Sequence, residues 1–271
     1  MAAEWNRSER AWSGRGPSEE IQSTSESVGY RDRIVLVTGG TSGIGRAFVE
    51  RFVAEGASVV ACGRNETKLQ ALKVAHPSVE ARRCDVGSIS EVDALAAFVS
   101  RQYGRLDVLV NNAGVMEQVN MLAEDVDAAA ITREIGINLT APILLVRRCL
   151  PLLQHGRRPL ILMVTSGYAL LPARRAPTYS ATKAGLRAFT QALRYQLQDS
   201  GIRVVETLPP LVDMAATAGI GRPKMAPKAV VDGTLACIAR GRDECFVGQV
   251  RWLPLLMRLA PRFAARLIAK T

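Results

Sequence analysis

The sequence predicts an α/β fold in which helices cover both faces of one doubly wound parallel sheet of about seven strands. Short runs of Val, Ile and Leu alternate with segments of helix length, as expected of consecutive βαβ units. These runs are continuously apolar, which is typical of parallel strands that are buried on both faces. A chain of 271 residues can bury the core of one such domain without a disulfide or a metal.

The apolar runs follow a polar N-terminal stretch. Residues 1–30 are rich in Ser, Gly, Glu and Arg, and Trp5 and Trp12 are their only sizeable apolar groups, so we expect a disordered extension without a targeting segment. The predicted strands are residues 34–37, 58–61, 79–83, 106–110, 160–164 and 203–207. One domain is therefore predicted over residues 31–249.

A basic tail, residues 250–271, follows that domain. It contains five basic residues and no acidic ones, and Arg258, Arg262, Arg266 and Lys270 recur at a helical spacing beside Leu259, Phe263 and Leu267. After Pro261 this pattern predicts a short cationic amphipathic helix. Such a helix packs on its own domain, on a partner subunit or on a membrane surface, and the pattern leaves these alternatives open. The apolar stretches are too short or too interrupted to predict a membrane-spanning helix.

Composition narrows the functional classes. A formal charge of +10 suits nucleic acid, anionic lipid or an anionic ligand, but no nucleic-acid-binding motif accompanies it, so no nucleic-acid partner is expected. With only His76 and His155 present, a histidine-based metal site is not expected. The cysteines lack CxxC spacing and lie in apolar surroundings, which predicts reduced, packed thiols in a cytoplasmic protein; they are Cys62, Cys84, Cys149, Cys237 and Cys245.

A glycine-rich turn joins the first predicted strand to the first predicted helix, as in Rossmann-type domains. It reads Thr38-Gly39-Gly40-Thr41-Ser42-Gly43-Ile44-Gly45. In this place backbone N–H groups can approach a pyrophosphate at the helix N-terminus, although an ordinary tight turn is the alternative. The second strand ends at Gly63-Arg64, where a carboxylate would favour NAD; a guanidinium instead favours the 2′-phosphate of NADP(H), with a solvated loop arginine as the alternative.

Further motifs appear in the same register. They are Cys84-Asp85-Val86, Asn111-Asn112-Ala113-Gly114, Ile137-Asn138-Leu139, Ser166, and Tyr179-Ser-Ala-Thr-Lys183. With the glycine-rich turn, they make the chain resemble the short-chain dehydrogenase/reductase family from about residue 32 to 247. The sequence around Ser166-Gly167 and over residues 208–213 is similar to that of a bacterial branch of the family. This branch is represented by the oxidoreductase of the D-alanine–teichoic acid operon.

This resemblance implies the strand order 3-2-1-4-5-6-7 and a catalytic set of Ser166, Tyr179, Lys183 and Asn138. It also implies cofactor contacts from Gly39, Thr41, Ser42, Gly43, Ile44, Gly45, Arg64, Asp85, Val86, Asn112, Ala113, Gly114, Tyr179, Lys183, Pro209 and Val212. Asn138 would hold a water that links Lys183 to solvent. Two departures from the family pattern are Pro210 after Pro209, and Met214 at a position that the family gives to Thr, with Thr217 nearby.

The chemistry of Tyr179 and Lys183 follows from their spacing of one helical turn. An ammonium beside a phenol favours the phenolate, so we expect Lys183 and the oxidised nicotinamide to lower the pKa of Tyr179. Tyr179 would then exchange a proton with a carbonyl or alcohol, while Ser166 stabilises the oxygen. Arg174 and Arg175 would attract an acidic substrate or be solvated loop residues, the second being favoured.

The sequence thus predicts a cytoplasmic NADP(H)-dependent oxidoreductase acting on a small carbonyl or alcohol. The alternatives are a non-catalytic NADP(H)-binding regulatory or scaffold protein and an enzyme held at a membrane surface by residues 250–271. The family resemblance also implies a homodimer or homotetramer, paired through helices at 128–153 and 177–198.

Overall fold

The computed structural model describes residues 29–117, 120–123, 126–213 and 224–264. Seven parallel strands form one sheet in the order β3-β2-β1-β4-β5-β6-β7, which confirms the predicted fold class and strand order. The strands are β1 Ile34–Thr38, β2 Ser58–Gly63, β3 Glu80–Arg83, β4 Val108–Asn111, β5 Leu160–Val164, β6 Arg203–Leu208 and β7 Glu244–Phe246.

Helices connect consecutive strands and cover both faces of the sheet. They are α1 Gly43–Ala54, α2 Glu66–Ala75, α3 Ile89–Tyr103, α4 Ala128–Ile135, α5 Ala141–Gln154, α6 Pro177–Gln196, α7 Pro227–Ala239 and α8 Leu253–Leu259. A π-helical turn, Gly136–Thr140, joins α4 to α5. Local signals set several ends: the Ser88 side chain caps α3, which ends at Gly104 in the left-handed conformation.

Two hydrophobic cores lie on opposite faces of the sheet. Successive residues of β1 alternate between them, so that Leu36 packs on the α3–α5 side and Val35 and Val37 pack on the α1–α7 side. Because both faces are covered, every residue of β1 and β5 is buried. A continuous apolar run in the sequence therefore indicates a strand that is covered by helices on both faces of the sheet.

The helical stretch Ala128–Gln154 is long and apolar enough to cross a membrane by length and composition. Its α5 portion instead packs on α3 and on the sheet, and it contributes Leu145, Cys149 and Leu153 to the core. These contacts are those of a core helix in an α/β domain.

Several details differ from the sequence analysis. Tyr30, assigned to the extension, is buried with its ring 4.8 Å from that of Phe52, so the packed region includes it. Cys237 and Cys245 form a disulfide between α7 and β7, so the prediction of reduced thiols is wrong for these two; Cys62, Cys84 and Cys149 are free and buried. A separation of eight residues in the sequence does not predict this disulfide. The turn after α7 brings the two Cα atoms to 5.7 Å, and only the folded structure shows that.

The tail is helical earlier than predicted. Residues 248–252 form a short 3₁₀ helix and α8 follows directly, before Pro261. Trp5 and Trp12, and in the tail Arg266, Leu267 and Lys270, lie outside the described residues.

Candidate active site

The carboxyl ends of the central strands open into one cavity of about 1180 Å³. All the predicted site residues line this cavity except Gly45 and Asn138, which lie directly behind its wall. Parallel strands carry their loops to the same edge of a sheet, which is why residues distant in sequence meet here. Met214 and Thr217 lie outside the described residues.

The glycine-rich turn is packed too tightly for side chains. An added Cβ at Gly45 would lie 2.2 Å from the Gly39 carbonyl oxygen and 2.4 Å from Asn112 Nδ2. Gly39 and Gly43 have φ values of +64° and +54°, a region that favours glycine. The turn therefore brings the backbone to the cavity at the start of α1, and these residues fit the pyrophosphate of a dinucleotide.

The asparagine motif after β4 holds this turn in place. Asn112 Nδ2 donates to the carbonyl oxygen of Thr38 at 2.9 Å. In return, Thr38 Oγ1 accepts hydrogen bonds from the backbone N–H groups of Asn112 and Ala113, both at 3.0 Å. The ends of β1 and β4 are thus locked together beneath the cavity floor.

Basic groups surround the nucleotide end. Arg64 is half-exposed at the end of β2, and its Nη1 lies 3.9 Å from Asp85 Oδ2. Arg46 and Lys68 line the same end, although the sequence analysis did not single them out. This end therefore combines guanidinium and ammonium groups suited to a phosphate with a carboxylate suited to a base or sugar.

Tyr179 and Lys183 share one face of α6, as predicted. Lys183 Nζ lies 5.7 Å from the centre of the Tyr179 ring and donates to the Val164 carbonyl oxygen at 2.9 Å. Burial lowers the pKa of Lys183 to about 8. Burial also raises the pKa of Tyr179 to about 12, against a smaller lowering by a hydrogen bond with Ser166. Desolvation thus dominates the Tyr179 pKa in the protein alone. The lowering expected from Lys183 together with the oxidised nicotinamide stays a prediction for the complex with cofactor.

Asn138 lies in the π-helical turn and is 1% exposed. Its Nδ2 donates to the Val115 carbonyl oxygen at 2.8 Å and to Thr182 Oγ1 at 3.3 Å, and its Oδ1 accepts from the Val115 N–H at 2.9 Å. A Cβ on Gly114 would lie 3.1 Å from Asn138 Oδ1 and 3.6 Å from Lys183 Nζ, so the two side chains flank Gly114. In this arrangement the Asn138 amide fixes the loop after β4.

Glu134 is a buried acid that the sequence analysis missed. It is fully buried on α4, its Oε1 accepts from the Glu117 N–H at 2.9 Å, and its Oε2 has no hydrogen-bond partner. Its charge raises the pKa values of both Tyr179 and Lys183, and burial raises its own pKa. The sequence did place an acidic residue, Glu134, one helical turn before Asn138, which was the available signal for a site residue. Only the packing of the fold shows that this acid is buried.

The part of the cavity beside Tyr179 is lined by Tyr168 and by the start of the tail. The rings of Tyr168 and Tyr179 meet edge to face, with centroids 6.2 Å apart. Trp252, Leu253 and Leu256 line the same cavity, and a Cβ added to Gly167 would lie 3.7 Å from Leu253 Cδ1. Apolar side chains thus line the cavity beside Gly167, the residue after Ser166, and this lining suits a substrate with an apolar portion.

Comparisons with known proteins agree with this architecture. The sequence profile described as "short chain dehydrogenase" matches residues 33–224. The uncharacterized oxidoreductase DltE of Bacillus subtilis is 37% identical over 66% of this chain and 71% of its own. An uncharacterized oxidoreductase of Staphylococcus aureus strain MW2 is 31% identical over 77% of this chain and 92% of its own.

Solved structures give the same result. A short-chain dehydrogenase from Burkholderia cenocepacia in complex with NADP superposes with a TM-score of 0.79 at 25% identity, covering 89% of this chain and 99% of that one. A metagenomic short-chain oxidoreductase in complex with NADP gives 0.67 at 29% identity, covering 79% and 94%. With the profile match over most of the chain, these findings show that the protein belongs to the short-chain dehydrogenase/reductase family and is similar to the DltE branch.

Proposed function

We propose that the protein is an NADP(H)-dependent oxidoreductase that interconverts a carbonyl and an alcohol, with Tyr179 as its acid and base. The observation that carries this proposal is the arrangement of Ser166, Tyr179 and Lys183 on one cavity beside a glycine-rich turn. Membership of an oxidoreductase family agrees with it. Bound NADP(H) would supply or accept the hydride at the substrate carbon.

The protein residues would manage the oxygen and its proton. Ser166, whose Oγ accepts from the Tyr168 N–H at 3.1 Å, would donate to the substrate oxygen and stabilise its developing negative charge. Tyr179 would donate its phenolic proton to that oxygen during reduction and recover it in the reverse direction. Lys183, held by the Val164 carbonyl, would compensate the charge left on the phenolate.

The preference for NADP(H) is proposed from the nucleotide end of the cavity. Arg64 would hold the 2′-phosphate, Asp85 and Val86 would contact the adenosine portion, and Pro209 and Val212 would line the nicotinamide end. Both related structures described above contain NADP. An Arg–phosphate pair is charge-assisted and can be bidentate, which accounts for discrimination against NADH.

The direct test of catalysis follows NADPH consumption by the purified protein across aldehydes, ketones and quinones. We expect turnover that falls by at least about a hundredfold in Tyr179→Phe, because that variant removes the proton donor but keeps the ring. If NADPH binds tightly but no carbonyl is turned over, the alternative of a non-catalytic NADP(H)-binding regulatory protein replaces this proposal.

The cofactor assignment has its own test. Arg64→Ala should weaken NADPH binding by about ten- to a hundredfold and leave NADH binding nearly unchanged, since only NADPH carries the phosphate. Arg101→Ala, an exposed arginine on α3 remote from the cavity, is the matched control. An unchanged NADPH/NADH ratio in Arg64→Ala would show that another group reads the phosphate.

We also propose a cytoplasmic homodimer or homotetramer that pairs through the α4–α5 stretch and α6. Light scattering of the purified protein tests the assembly, and a monomer at micromolar concentration would refute it. Fractionation of the source cells tests the location.

A second candidate function, an enzyme that works at an anionic membrane surface, is favoured by the tail. Trp252, Leu255, Leu259 and Phe263 are exposed, and exposed Arg251, Arg258 and Arg262 accompany them. The same segment forms one wall of the cavity through Leu253 and Leu256. Exposed apolar side chains among arginines suit the boundary between headgroups and acyl chains.

Flotation with phosphatidylglycerol and phosphatidylcholine vesicles tests this candidate. We expect the full chain to float with the anionic vesicles and to be released by Leu259→Ser combined with Phe263→Ser. Val74→Ser is the control, because Val74 and Leu259 are both 72% exposed but Val74 lies on α2. Absence of flotation would refute the membrane candidate and leave the soluble enzyme.

A further inference from the structure

The loop before α6 carries an arginine that faces the candidate active site. Arg175 lines the same cavity as Ser166 and Tyr179, and its Nη2 donates to the Tyr168 hydroxyl at 3.1 Å. Its side chain is half-buried, whereas the neighbouring Arg174 is exposed. The structure thus separates two adjacent arginines that the sequence analysis treated alike, and only Arg174 is a solvated loop residue.

The hydrogen-bonding capacity of Arg175 is incompletely used. Its Nε is buried without a hydrogen-bond partner. No ion pair joins Arg175 to a carboxylate of the residues that the structure describes. A guanidinium whose Nε is withdrawn from water, and whose hydrogen bond is to a phenol oxygen, retains capacity for an anionic acceptor.

The position of Arg175 relates this preference to the substrate. Tyr168 contacts both groups, because its hydroxyl accepts from Arg175 and its ring lies 6.2 Å from that of Tyr179. A carbonyl placed at Tyr179 and an anionic group placed at Arg175 can therefore belong to one small molecule. Trp252 and Leu256 would contact the apolar portion between or beside them.

We propose that Arg175 is a substrate-anchoring residue and that the substrate is a carbonyl compound bearing a carboxylate or phosphate group. This inference rests on the proposed oxidoreductase function and adds the substrate class to it. The guanidinium would pair with the acidic group through charge-assisted hydrogen bonds, and Tyr168 would fix its orientation. The positive charge of the chain would also favour the approach of such a substrate.

Matched substrates test the proposal with the full chain and NADPH. A series of benzoyl-substituted carboxylic acids, differing in the number of carbons between ketone and carboxylate, is compared with the corresponding methyl esters. For the acid of best-fitting length, we expect kcat/KM to exceed that of its ester by about ten- to a hundredfold. Arg175→Gln should abolish this preference, while Arg174→Gln should preserve it.

A binding measurement separates this proposal from the function on which it rests. Calorimetry with a phenylalkanoate, which has no ketone to reduce, uses the Tyr179→Phe protein loaded with NADPH. We expect at least about tenfold weaker binding when Arg175→Gln is added, and an intermediate loss with Arg175→Lys, which keeps the charge but not the planar fork. Thermal melting confirms that each variant is folded.

The outcomes are distinguishable. Equal kcat/KM for acids and esters in the unaltered protein, or equal effects of the Arg174 and Arg175 variants, would overturn the anchoring role while the reductase stands. Phenylalkanoate binding that depends on Arg175, without turnover of any carbonyl, would support the acid site and overturn the proposed reductase. If Arg175→Gln does not fold, the comparison of acids with esters in the unaltered protein and the phenylalkanoate affinity of Arg175→Lys still decide the question.

Discussion

The replacement of Gly45 by alanine would test how the glycine-rich turn holds its cofactor. The added Cβ would lie 2.2 Å from the Gly39 carbonyl oxygen and 2.4 Å from Asn112 Nδ2. Neither neighbour can move freely, because Asn112 Nδ2 donates to the Thr38 carbonyl oxygen at 2.9 Å and to the Gly39 carbonyl oxygen at 3.4 Å. We therefore expect the turn to open by about 1 Å, a typical van der Waals gap being roughly 3.5 Å.

The magnitude follows from two separate effects. Overpacking of a fixed site costs about 1–3 kcal/mol of stability. Displacement of the backbone N–H groups would also weaken their charge-assisted hydrogen bonds to the pyrophosphate, each contributing about 1.5–3 kcal/mol. The loss of one such bond corresponds to about ten- to a hundredfold weaker NADPH binding.

Fluorescence titration with NADPH measures the affinity, and urea unfolding measures the stability. Gly136→Ala is the matched control, because an added Cβ there meets nothing within 4 Å and its φ of −55° suits alanine. Gly136→Ala should leave the NADPH affinity unchanged. If Gly45→Ala bound NADPH as tightly as the unaltered protein, the close packing around Gly45 would not be what shapes the site.

Three further changes have defined outcomes. Glu134→Gln removes a charge that raises the pKa values of Tyr179 and of the active-site lysine, so the alkaline limb of carbonyl reduction should move to lower pH; an unmoved pH profile would contradict this. Arg187→Ala removes the ion-pair partner of the buried Glu206 and should lower the free energy of unfolding in urea by about 3–5 kcal/mol at pH 8. The loss should be smaller near pH 5, because burial raises the Glu206 pKa and more of this carboxyl is then neutral. Reduction of the disulfide between α7 and β7 should lower stability by roughly 2–3 kcal/mol, measured by urea unfolding with and without dithiothreitol.

The strands and the glycine-rich turn were predictable from the sequence, because each depends on a pattern of neighbouring residues. The six predicted strands correspond to β1 through β6, although β3 is a polar strand at the edge of the sheet. The turn after the first strand lines the cavity as expected. The seventh strand, Glu244–Phe246, was not located because three residues carry no periodicity. The disulfide and the buried Tyr30 were missed for a related reason, since both depend on which distant segments pack together.

Burial was the property that the sequence could not supply, and it matters most at the acids and bases. Glu134 and Arg175 look like ordinary helix and loop residues until packing encloses their polar atoms. The helical spacing likewise placed Lys183 beside Tyr179 but gave no measure of desolvation, which raises the Tyr179 pKa in the protein alone.

The direction of that shift has a consequence for the chemistry. A Tyr179 pKa of about 12 means that the protein alone keeps a neutral phenol throughout the physiological range. A phenol is the form that donates a proton to a carbonyl oxygen, so reduction can begin without prior activation. Alcohol oxidation needs the phenolate, which the buried site disfavours unless positive charge is added close to the ring. Burial and the Glu134 charge thus act in the same sense, and both favour Tyr179 as an acid over Tyr179 as a base.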